Sequence, residues 1–307
     1  MNAPAISICV PTYQARQYLP ETLASVRAQT WTDWELLVTE DGSDDGTAAV
    51  VREFAASVRQ PVYYQRHRVN RGLPATRNSG ITNARAPWIA LLDSDDLWAP
   101  DHLESLMATS RREPADLIHA GSQLFDSDTG AFLERRAPSP ADLAGFPRTL
   151  FEGSYMIQPA SVMVRKQLWA DVGGFDPTFR YVEDRDMWLR CARQGARFAY
   201  TGKETCFYRK HVNALSRNAT AMAVANARAF AKHLDWEAFP AAMRRSLTAE
   251  AWVSAGRLAL RANPALARNC FGRAWSVRRS APRPAAYWCY ALLRSLTRPT
   301  APSTPTL

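Results

Sequence analysis

Cysteine is scarce in this sequence, and the few cysteines form no recognisable pattern. Five cysteines are scattered over 307 residues, and none belongs to a CxxC pair or to a cluster of cysteine and histidine. This argues against a disulfide framework and against a zinc site of the usual spacing. It fits a reducing compartment, so we expect the protein to be cytoplasmic.

Long apolar runs are also lacking. No window of about 18 uninterrupted apolar residues occurs, so the sequence predicts no transmembrane helix. Residues 1–5 contain no basic residue and lead straight into a strand-like run, which is unlike a signal peptide. The hydrophobic content of 47% and the charged content of 22% are ordinary for a globular protein.

Acidic residues are few near the C-terminus. Residues 216–307 contain 14 Lys or Arg and 3 Asp or Glu, a net charge of +11, whereas residues 1–215 contain 24 and 26, a net charge of −2. A solvated basic surface explains this asymmetry, and so does contact with an anionic membrane. Nucleic acid is not expected as a partner, because no known binding motif accompanies the charge.

The first 125 residues alternate between strand-like and helix-like segments. The β-rich runs lie at 6–10, 34–38, 62–64, 88–92 and 117–120, and the helical patterns between them lie at 18–29, 47–57, 74–83 and 100–112. This alternation predicts an α/β fold with a mainly parallel, Rossmann-like sheet flanked by helices. Ligands of such sheets bind beyond the carboxyl ends of the strands.

The rest of the chain is less regular. Residues 135–148 are rich in proline, which predicts a mobile loop. Residues 219–296 are rich in Ala and Arg with helical spacing, which predicts an appendage of three to five helices. Strands are expected at 160–164 and 206–209, and helices at 166–172 and 184–194.

An acidic run, Asp93-Ser94-Asp95-Asp96, directly follows the fourth strand. Residues two apart in an extended segment point to the same side, so Asp93 and Asp95 can face one ligand. Carboxylate oxygens suit Mg2+ or Mn2+, which would also hold diphosphate oxygens. A turn capped by aspartate is the alternative interpretation.

Two further polar segments precede helices. Glu40–Thr47 follows the second strand, where Asp41 could accept a hydrogen bond from a base or a ribose. Asp44, Asp45 and Thr47 suit helix capping. Arg77, in the helix expected at 74–83, could pair with phosphate or with carboxylates. An exposed basic helix face is the alternative for Arg77.

A cluster of acidic residues, Glu183, Asp184 and Asp186, opens the helix expected at 184–194. Asp184 is a candidate general base, because a nearby carboxylate can take the proton of an attacking hydroxyl. Stabilisation of the helix N-terminus through its dipole is the alternative. Trp188 lies one turn from Asp184 on the same face, and an acceptor contact and a core position suit it equally.

In combination these segments resemble a known family. The segments Val10–Tyr13, Glu40–Thr47, Asn70–Gly80 and Leu92–Asp96 are similar, in this order, to the nucleotide-binding half of family 2 glycosyltransferases with the GT-A fold. Tyr181–Arg190 is similar to the acceptor-side acidic motif of that family, and Tyr208–His211 with Ser216 to the region that closes the domain. Departures from the usual residues occur at Gln14, Glu40 and Thr76, and Glu40 keeps the charge.

The resemblance implies a role for each matching position. Asp41 would accept an N–H of the nucleobase, Asp95 would bind the metal, and Asp184 would be the base. Arg77 would organise the site, and His211 would contact the metal or the diphosphate unless it is a structural histidine. The other implied nucleotide-sugar contacts are Pro11, Thr12, Tyr13, Asn70, Asp93 (near the ribose) and Ser94, and the implied acceptor-side residues are Glu183 and Trp188.

The resemblance also implies an activity. The protein would be an inverting glycosyltransferase that moves a sugar from a nucleotide diphosphate, with a UDP-sugar as the expected donor. The acceptor would be a hydroxyl of a glycan or lipid-linked molecule in polysaccharide or cell-envelope biosynthesis, and Mn2+ or Mg2+ would assist. Residues 1–217 would form the GT-A domain, with a nucleotide-binding half (1–125) and an acceptor half (126–217). A helical region would follow at 218–298, and a disordered tail at 299–307.

Two other functions are considered. A nucleotidyltransferase has a similar sheet and metal-binding aspartates, but it would want a glycine-rich phosphate loop where Pro11-Thr12-Tyr13-Gln14 stands. A catalytically silent protein that binds sugar nucleotides is the second alternative, and the presence of Asp95 and Asp184 argues against it.

Aromatic residues are mixed with arginines near the C-terminus, namely Trp275, Tyr287, Trp288 and Tyr290. This mixture fits peripheral contact with the inner face of the cytoplasmic membrane. A helical subdomain that packs its aromatic side chains inward is the alternative.

Overall fold

The computed structural model describes residues 3–212, 214–279 and 287–288. The chain forms two compact units, residues 1–214 and 215–307. The first unit contains the sheet, and the described part of the second is helical. The boundary expected after residue 217 lies three residues from the observed one, and the tail expected at 299–307 lies outside the described residues.

The first unit alternates strands and helices along most of its length. Its described strands are β1 (Ile6–Thr12), β2 (Trp34–Glu40), β3 (Val62–Arg66), β4 (Trp88–Leu91), β5 (Leu97–Trp98), β6 (Leu117–Asp126), β7 (Phe132–Arg136), β8 (Val162–Arg165) and β9 (Phe198–Lys210). Its described helices are α1 (Leu19–Arg27), α2 (Thr47–Ala56), α3 (Leu73–Asn83), α4 (His102–Arg112), α5 (Pro140–Ala144), α6 (Arg148–Glu152), α7 (Lys166–Asp171) and α8 (Glu183–Arg193).

All the described strands belong to one sheet. Its order is β3-β2-β1-β4-β8-β6-β9-β5, and β7 pairs with β6. The strands β3, β2, β1 and β4 are parallel, whereas β8 is antiparallel to both of its neighbours and β5 to β9. The predicted α/β sheet with flanking helices is confirmed, and its second half is mixed.

The central strands are buried, and most of their positions hold apolar residues. Every residue of β1, β2 and β4 is buried, as expected for strands covered on both faces. Helix α1 joins the same core through Leu19, Leu23 and Val26, which recur every three or four residues. Burying one such side chain contributes about 1.5–3 kcal/mol relative to leaving it exposed.

The carboxyl ends of the parallel strands lie at one edge of the sheet. In the register of the strands, Thr12 of β1 is level with Glu40 of β2, and Glu40 with Arg66 of β3. Strand β4 ends at Leu91, two residues before Asp93. The fold therefore brings the polar segments that follow β1, β2 and β4 to the same edge.

The mobile loop expected at residues 135–148 is a wrong prediction. This segment contains the end of β7, all of α5 and the start of α6. The backbone N–H of Asp142 donates to the Ser139 hydroxyl at 3.1 Å, and that of Ser139 donates to the Asp142 carboxylate at 2.9 Å. This reciprocal cap, with Pro140 at the first helical position, starts a helix where the proline content predicts a loop.

The second unit contains α9 (Ala219–Lys232), α10 (Ala241–Ala259) and α11 (Pro264–Val277) among its described residues. The side-chain amides of Asn218 and Asn263 cap α9 and α11, each accepting a backbone N–H of the first turn. The three helices share an apolar core around the buried ring of Trp252.

The aromatic residues near the C-terminus have different surroundings. Trp275 is 50% exposed and Trp288 37%, whereas Tyr287 stacks on Phe271 with the ring centroids 5.2 Å apart. Tyr290 lies outside the described residues. Across the described parts of the chain, no helix combines the length and the apolar character needed to cross a membrane.

Candidate active site

The residues at the end of β1 belong to the candidate site. Pro11 and Thr12 are buried, and the Thr12 hydroxyl donates to the Thr39 carbonyl at 3.4 Å. Tyr13, directly after the strand, is 49% exposed. Of these three residues expected around a nucleobase, Tyr13 therefore offers the side chain that a planar ligand can reach.

Asp41 holds the loop that follows β3. Its Oδ1 accepts hydrogen bonds from the backbone N–H of Arg71 and from the His67 ring, each at 2.8 Å. Its Oδ2 accepts from Gly72 N at 2.8 Å, and Asp41 as a whole is 2% exposed. The base contact expected of Asp41 stays a prediction.

The loop carried by Asp41 approaches the strand end closely. Gly42 has a φ of +76°, and a Cβ there would lie 2.5 Å from the carbonyl carbon of Val69, so this position requires glycine. Asn70 is exposed, and its side-chain oxygen accepts from Gly72 N at 3.2 Å. Asn70 therefore shapes the loop in addition to the ligand contact expected of it.

Glu40, which departs from the family pattern, is a buried carboxylate with two hydroxyl partners. Ser43 donates to it at 2.7 Å, and Tyr64 donates to its other oxygen. Burial and this carboxylate raise the pKa of Tyr64, so the phenol stays protonated. The longer Glu side chain is thus accommodated inside the protein, beside Asp41.

Arg77 is a buried bridge between two carboxylates. Its side chain is 1% exposed, and it donates to Asp93 Oδ1 at 2.6 Å and to Glu183 Oε1 at 2.5 Å. The guanidinium also lies over the Phe175 ring, 5.3 Å from its centroid. The alternative of an exposed basic helix face is therefore wrong, and Arg77 pairs with carboxylates rather than being presented to a phosphate.

Asp184 lies in the first turn of α8, which begins on a strained residue. Val182 precedes the helix with a φ of +61°, an unfavourable conformation for a β-branched side chain. Asp184 is half-buried, and its Oδ1 accepts from Arg185 N at 2.7 Å. Burial raises the pKa of Asp184 above its ordinary value of 3.8, and burial raises that of Glu183 to about 7 against the opposing effect of Arg77.

Trp188 is a core residue, so its expected contact with an acceptor is wrong. It is 1% exposed, its ring packs edge-on against Phe175, and its indole N–H donates to the Ile157 carbonyl at 3.3 Å. Trp188 lies one helical turn after Asp184, and its side chain packs in the core. Glu183, expected on the acceptor side, likewise faces Arg77 rather than solvent.

Asp95 and His211, the two expected metal ligands, lie together. His211 Nε2 is 2.9 Å from Asp95 Oδ2, and 32% of the Asp95 side chain is exposed. His211 Nδ1 is buried without a hydrogen-bond partner. Among the described residues, no group of three His, Cys, Asp or Glu could hold a metal ion, so a cation here would share the pair with oxygens of a bound molecule.

The residue after Asp95 is held differently. Asp96 is 1% exposed, and it accepts from Arg209 N at 2.9 Å. Burial and the neighbouring Asp95 and Asp93 raise the pKa of Asp96 well above its usual range. The acidic run therefore contains two half-exposed carboxylates, Asp93 paired with Arg77 and Asp95 beside His211, and one buried carboxylate, Asp96, that fixes the turn.

Three residues at this edge were not assigned a role from the sequence: His67, Tyr18 and Arg209. Nothing in the surrounding pattern marks His67. Arg209 could have been found, because it lies two residues before His211 at the end of a strand, where such residues share a face. Tyr18 stands just before α1, and only the structure places its ring 4.6 Å from that of His211.

The model of glycosyl transferase family 2 matches residues 7–170, more than half of the chain. The chain belongs to glycosyl transferase family 2. It is therefore a glycosyltransferase, which decides against the nucleotidyltransferase. EpsE of Bacillus subtilis (strain 168), named as a glycosyltransferase, is 26% identical over 230 residues, which are 74% of this chain and 80% of EpsE. The chain spans smaller shares, 59% and 38%, of two other curated relatives named as glycosyltransferases.

Solved structures bear out the GT-A-like fold of this family 2 member. The S. aureus TarS fragment 1–349 in complex with UDP-GlcNAc superposes with a TM-score of 0.69 at 17% identity, covering 95% of this chain and 88% of the fragment. The mannosyltransferase PcManGT from Pyrobaculum calidifontis, in complex with GDP-Man and Mn2+, superposes with a TM-score of 0.62 at 19% identity, covering 97% and 82%. The predicted resemblance to family 2 is confirmed.

Proposed function

We propose that the protein transfers a sugar, with inversion, from a nucleotide diphosphate to a hydroxyl group. The observation that carries this proposal is the Arg77 bridge, which ties Asp93 to Glu183. It joins the turn that contains Asp95 to the helix that contains Asp184. A donor held at that turn and an acceptor activated at that helix would meet at one place.

A UDP-sugar is the donor we propose first. The similar TarS structure contains UDP-GlcNAc, and PcManGT contains GDP-Man. In this chain the exposed ring of Tyr13 suits stacking on a planar base, and the carboxylate of Asp41 would accept an imide N–H. Pro11, Thr12, Asn70 and Ser94 complete the proposed donor site.

A divalent metal is proposed at Asp95 and His211. A carboxylate and an imidazole fit Mn2+ or Mg2+ when diphosphate oxygens supply further ligands, and Mn2+ accepts the imidazole more readily. When bound, the ion would stabilise the negative charge that develops on the departing diphosphate. Asp95 and His211 would hold the ion, and Asp93 would lie towards the ribose.

Asp184 is proposed as the general base. Its carboxylate would accept the proton of the acceptor hydroxyl while the hydroxyl oxygen forms a bond to the anomeric carbon. The bond from that carbon to the diphosphate breaks on the opposite face, which inverts the anomeric configuration. Its raised pKa improves its match to this task, because a base works best when its pKa approaches the operating pH.

Donor binding and donor turnover distinguish the parts of this proposal. We would screen UDP- and GDP-sugars with Mn2+ by thermal shift and then follow donor hydrolysis and transfer. Asp184→Asn should keep donor binding and lose turnover, whereas Asp95→Ala should lose metal-dependent binding as well. A wild-type protein that neither binds nor turns over any sugar nucleotide would refute the proposal.

A glycan or a lipid-linked molecule is the proposed acceptor, which would place the enzyme at the inner face of the membrane. The exposed Trp275 ring and exposed arginines such as Arg261 and Arg279 suit an anionic lipid surface. Flotation with vesicles containing phosphatidylglycerol tests this directly. The double variant Arg261→Glu with Arg279→Glu should float less than wild type, and equal flotation would favour a solvated basic surface.

A further inference from the structure

The turn that contains Asp95 is fixed by residues from two other elements. The Thr22 hydroxyl of α1 donates to the Ser94 carbonyl at 3.0 Å. The next carbonyl, that of Asp95, accepts from Nε of Arg209 in β9 at 2.8 Å. Consecutive carbonyls of the turn are therefore held from outside, which restricts the direction in which the Asp95 carboxylate can point.

Arg209 makes more contacts than this one. Its backbone N–H donates to Asp96 at 2.9 Å, and its Nη2 donates to Glu21 of α1 at 2.5 Å. The guanidinium lies between two rings, 5.1 Å from the centroid of Tyr18 and 4.8 Å from that of Phe125. A planar group with several fixed donors fits this place, and the ammonium of a lysine would not replace it.

The same group of residues also fixes His211. Arg209 and His211 lie two residues apart along the chain, so the position of one constrains the other. The Tyr18 ring that covers Arg209 also contacts the His211 ring, with centroids 4.6 Å apart. Both members of the Asp95–His211 pair are thus held by Arg209 and its partner Tyr18.

We propose that Arg209, supported by Tyr18 and Glu21, is a positioning residue that aligns Asp95 and His211 for a divalent cation. This role rests on the proposed metal site. Arg209 is buried and contacts the backbone of Asp95 rather than its carboxylate, so it acts through the ligands. Groups that orient metal ligands typically change metal affinity by 10- to 100-fold when they are removed.

The affinity for UDP, measured by titration calorimetry in Mn2+ and again in EDTA, tests this role. The dissociation constant in EDTA divided by the dissociation constant in Mn2+ reports the metal contribution alone. Arg209→Lys should lower this ratio by about tenfold or more, with UDP binding in EDTA unchanged. Glu21→Gln should lower the ratio by a smaller factor, and in combination with Arg209→Lys it should add little, because the two residues act as one unit.

Arg165→Lys is the matched control. Arg165 also donates from Nε to a backbone carbonyl, that of Ala115 at 3.2 Å, and lies 4.4 Å from the centroid of the Trp88 ring. It is placed beside the first residue of β4, at the strand end opposite the acidic turn. The ratio of UDP dissociation constants for Arg165→Lys should equal that of wild type.

The possible outcomes separate the two proposals. A large ratio in wild type that Arg209→Lys and Glu21→Gln leave unchanged, even with a lower melting temperature, would overturn the positioning role alone. A wild-type ratio near one would refute the metal site and this role with it. If Arg209→Lys does not fold, Glu21→Gln decides the matter, because the Glu21 side chain is 64% exposed and its replacement is compatible with folding.

Discussion

The acidic residues at the edge of the sheet differ in what surrounds each carboxylate. Asp93 is paired with a buried arginine, Asp95 with a histidine, and Asp41 with backbone N–H groups. Asp184 accepts a hydrogen bond from the backbone N–H of Arg185, and burial is the largest influence on its pKa. Residues of one type therefore suit different tasks, because each carboxylate has different partners and a different degree of burial.

The raised pKa of Asp184 predicts a particular pH profile. A base must be ionised, so kcat should fall as the pH drops through this raised pKa, with a midpoint above the ordinary value of 3.8. The profile of kcat against pH, taken with saturating donor, checks this. A profile flat down to the ordinary range of aspartate would contradict it.

The same shift predicts that Asp184→Asn stabilises the folded protein near neutral pH. A carboxyl group with a raised folded-state pKa contributes stability below its unfolded pKa and loses it as the pH rises through the folded one. Wild type loses that contribution as the pH rises, whereas asparagine carries no charge at any pH. Urea unfolding at pH 7 and pH 4 should show a gain for Asp184→Asn that shrinks at the lower pH, and a constant difference would be inconsistent with the shift.

Substitution of Trp188 tests whether this residue serves the core or the acceptor. Trp188→Ala should lower the free energy of unfolding by about 3–5 kcal/mol, because a large buried ring is lost. Trp188→Phe should cost less and should leave the Michaelis constant for the acceptor unchanged once the protein is folded. An acceptor-specific defect in Trp188→Phe, with normal urea unfolding, would restore the acceptor contact that burial excludes.

At the scale of elements, the first half of the sheet could be predicted because its β-rich segments alternate regularly with helix-like segments. The short elements could not. Strand β5 has two residues, and α5 and α6 have five each, too few for a period to emerge. Ser139 and Asp142 nevertheless carried a capping signal for α5, which the prolines around it obscured.

The residues of the candidate site could likewise be predicted where a local motif marks them, whereas their long-range contacts could not. Asp95, His211, Arg77 and Asp93 were singled out from strand ends and motifs, and the structure brings them together in two groups. The two-carboxylate bridge of Arg77 joins α3, the turn after β4 and the start of α8, and no local pattern encodes a contact between residues 77 and 183. Long-range pairs of this kind depend on how the elements pack.

The Arg77 bridge predicts a strong effect of substitution. Arg77→Lys should destabilise the protein by about 3–5 kcal/mol, because one compact ammonium cannot bridge two buried carboxylates and leaves one of them uncompensated. Chemical denaturation measures this, with Arg165→Lys as the partly exposed control. Equal stability of Arg77→Lys and wild type would mean that water reaches these carboxylates.

At the scale of the whole molecule, the family assignment rests on the first unit, since the family model ends at residue 170. The described part of the second unit is a helical bundle with its own core and a basic composition. This basic composition suits either contact with an anionic lipid surface or a solvated surface, because exposed arginines fit both. The donor site and the basic bundle therefore need separate assays.

Ligand binding should raise the stability of the folded chain. A ligand that binds only the folded state stabilises it by about 2.7 kcal/mol at a hundredfold excess over its dissociation constant. UDP with Mn2+ should therefore raise the urea midpoint of wild type, and removing the ion with EDTA should reverse most of the gain. Asp95→Ala should show little difference between Mn2+ and EDTA, because its site lacks the carboxylate that would hold the ion. An equal gain with and without Mn2+ in wild type would place the binding energy in the base and ribose contacts instead.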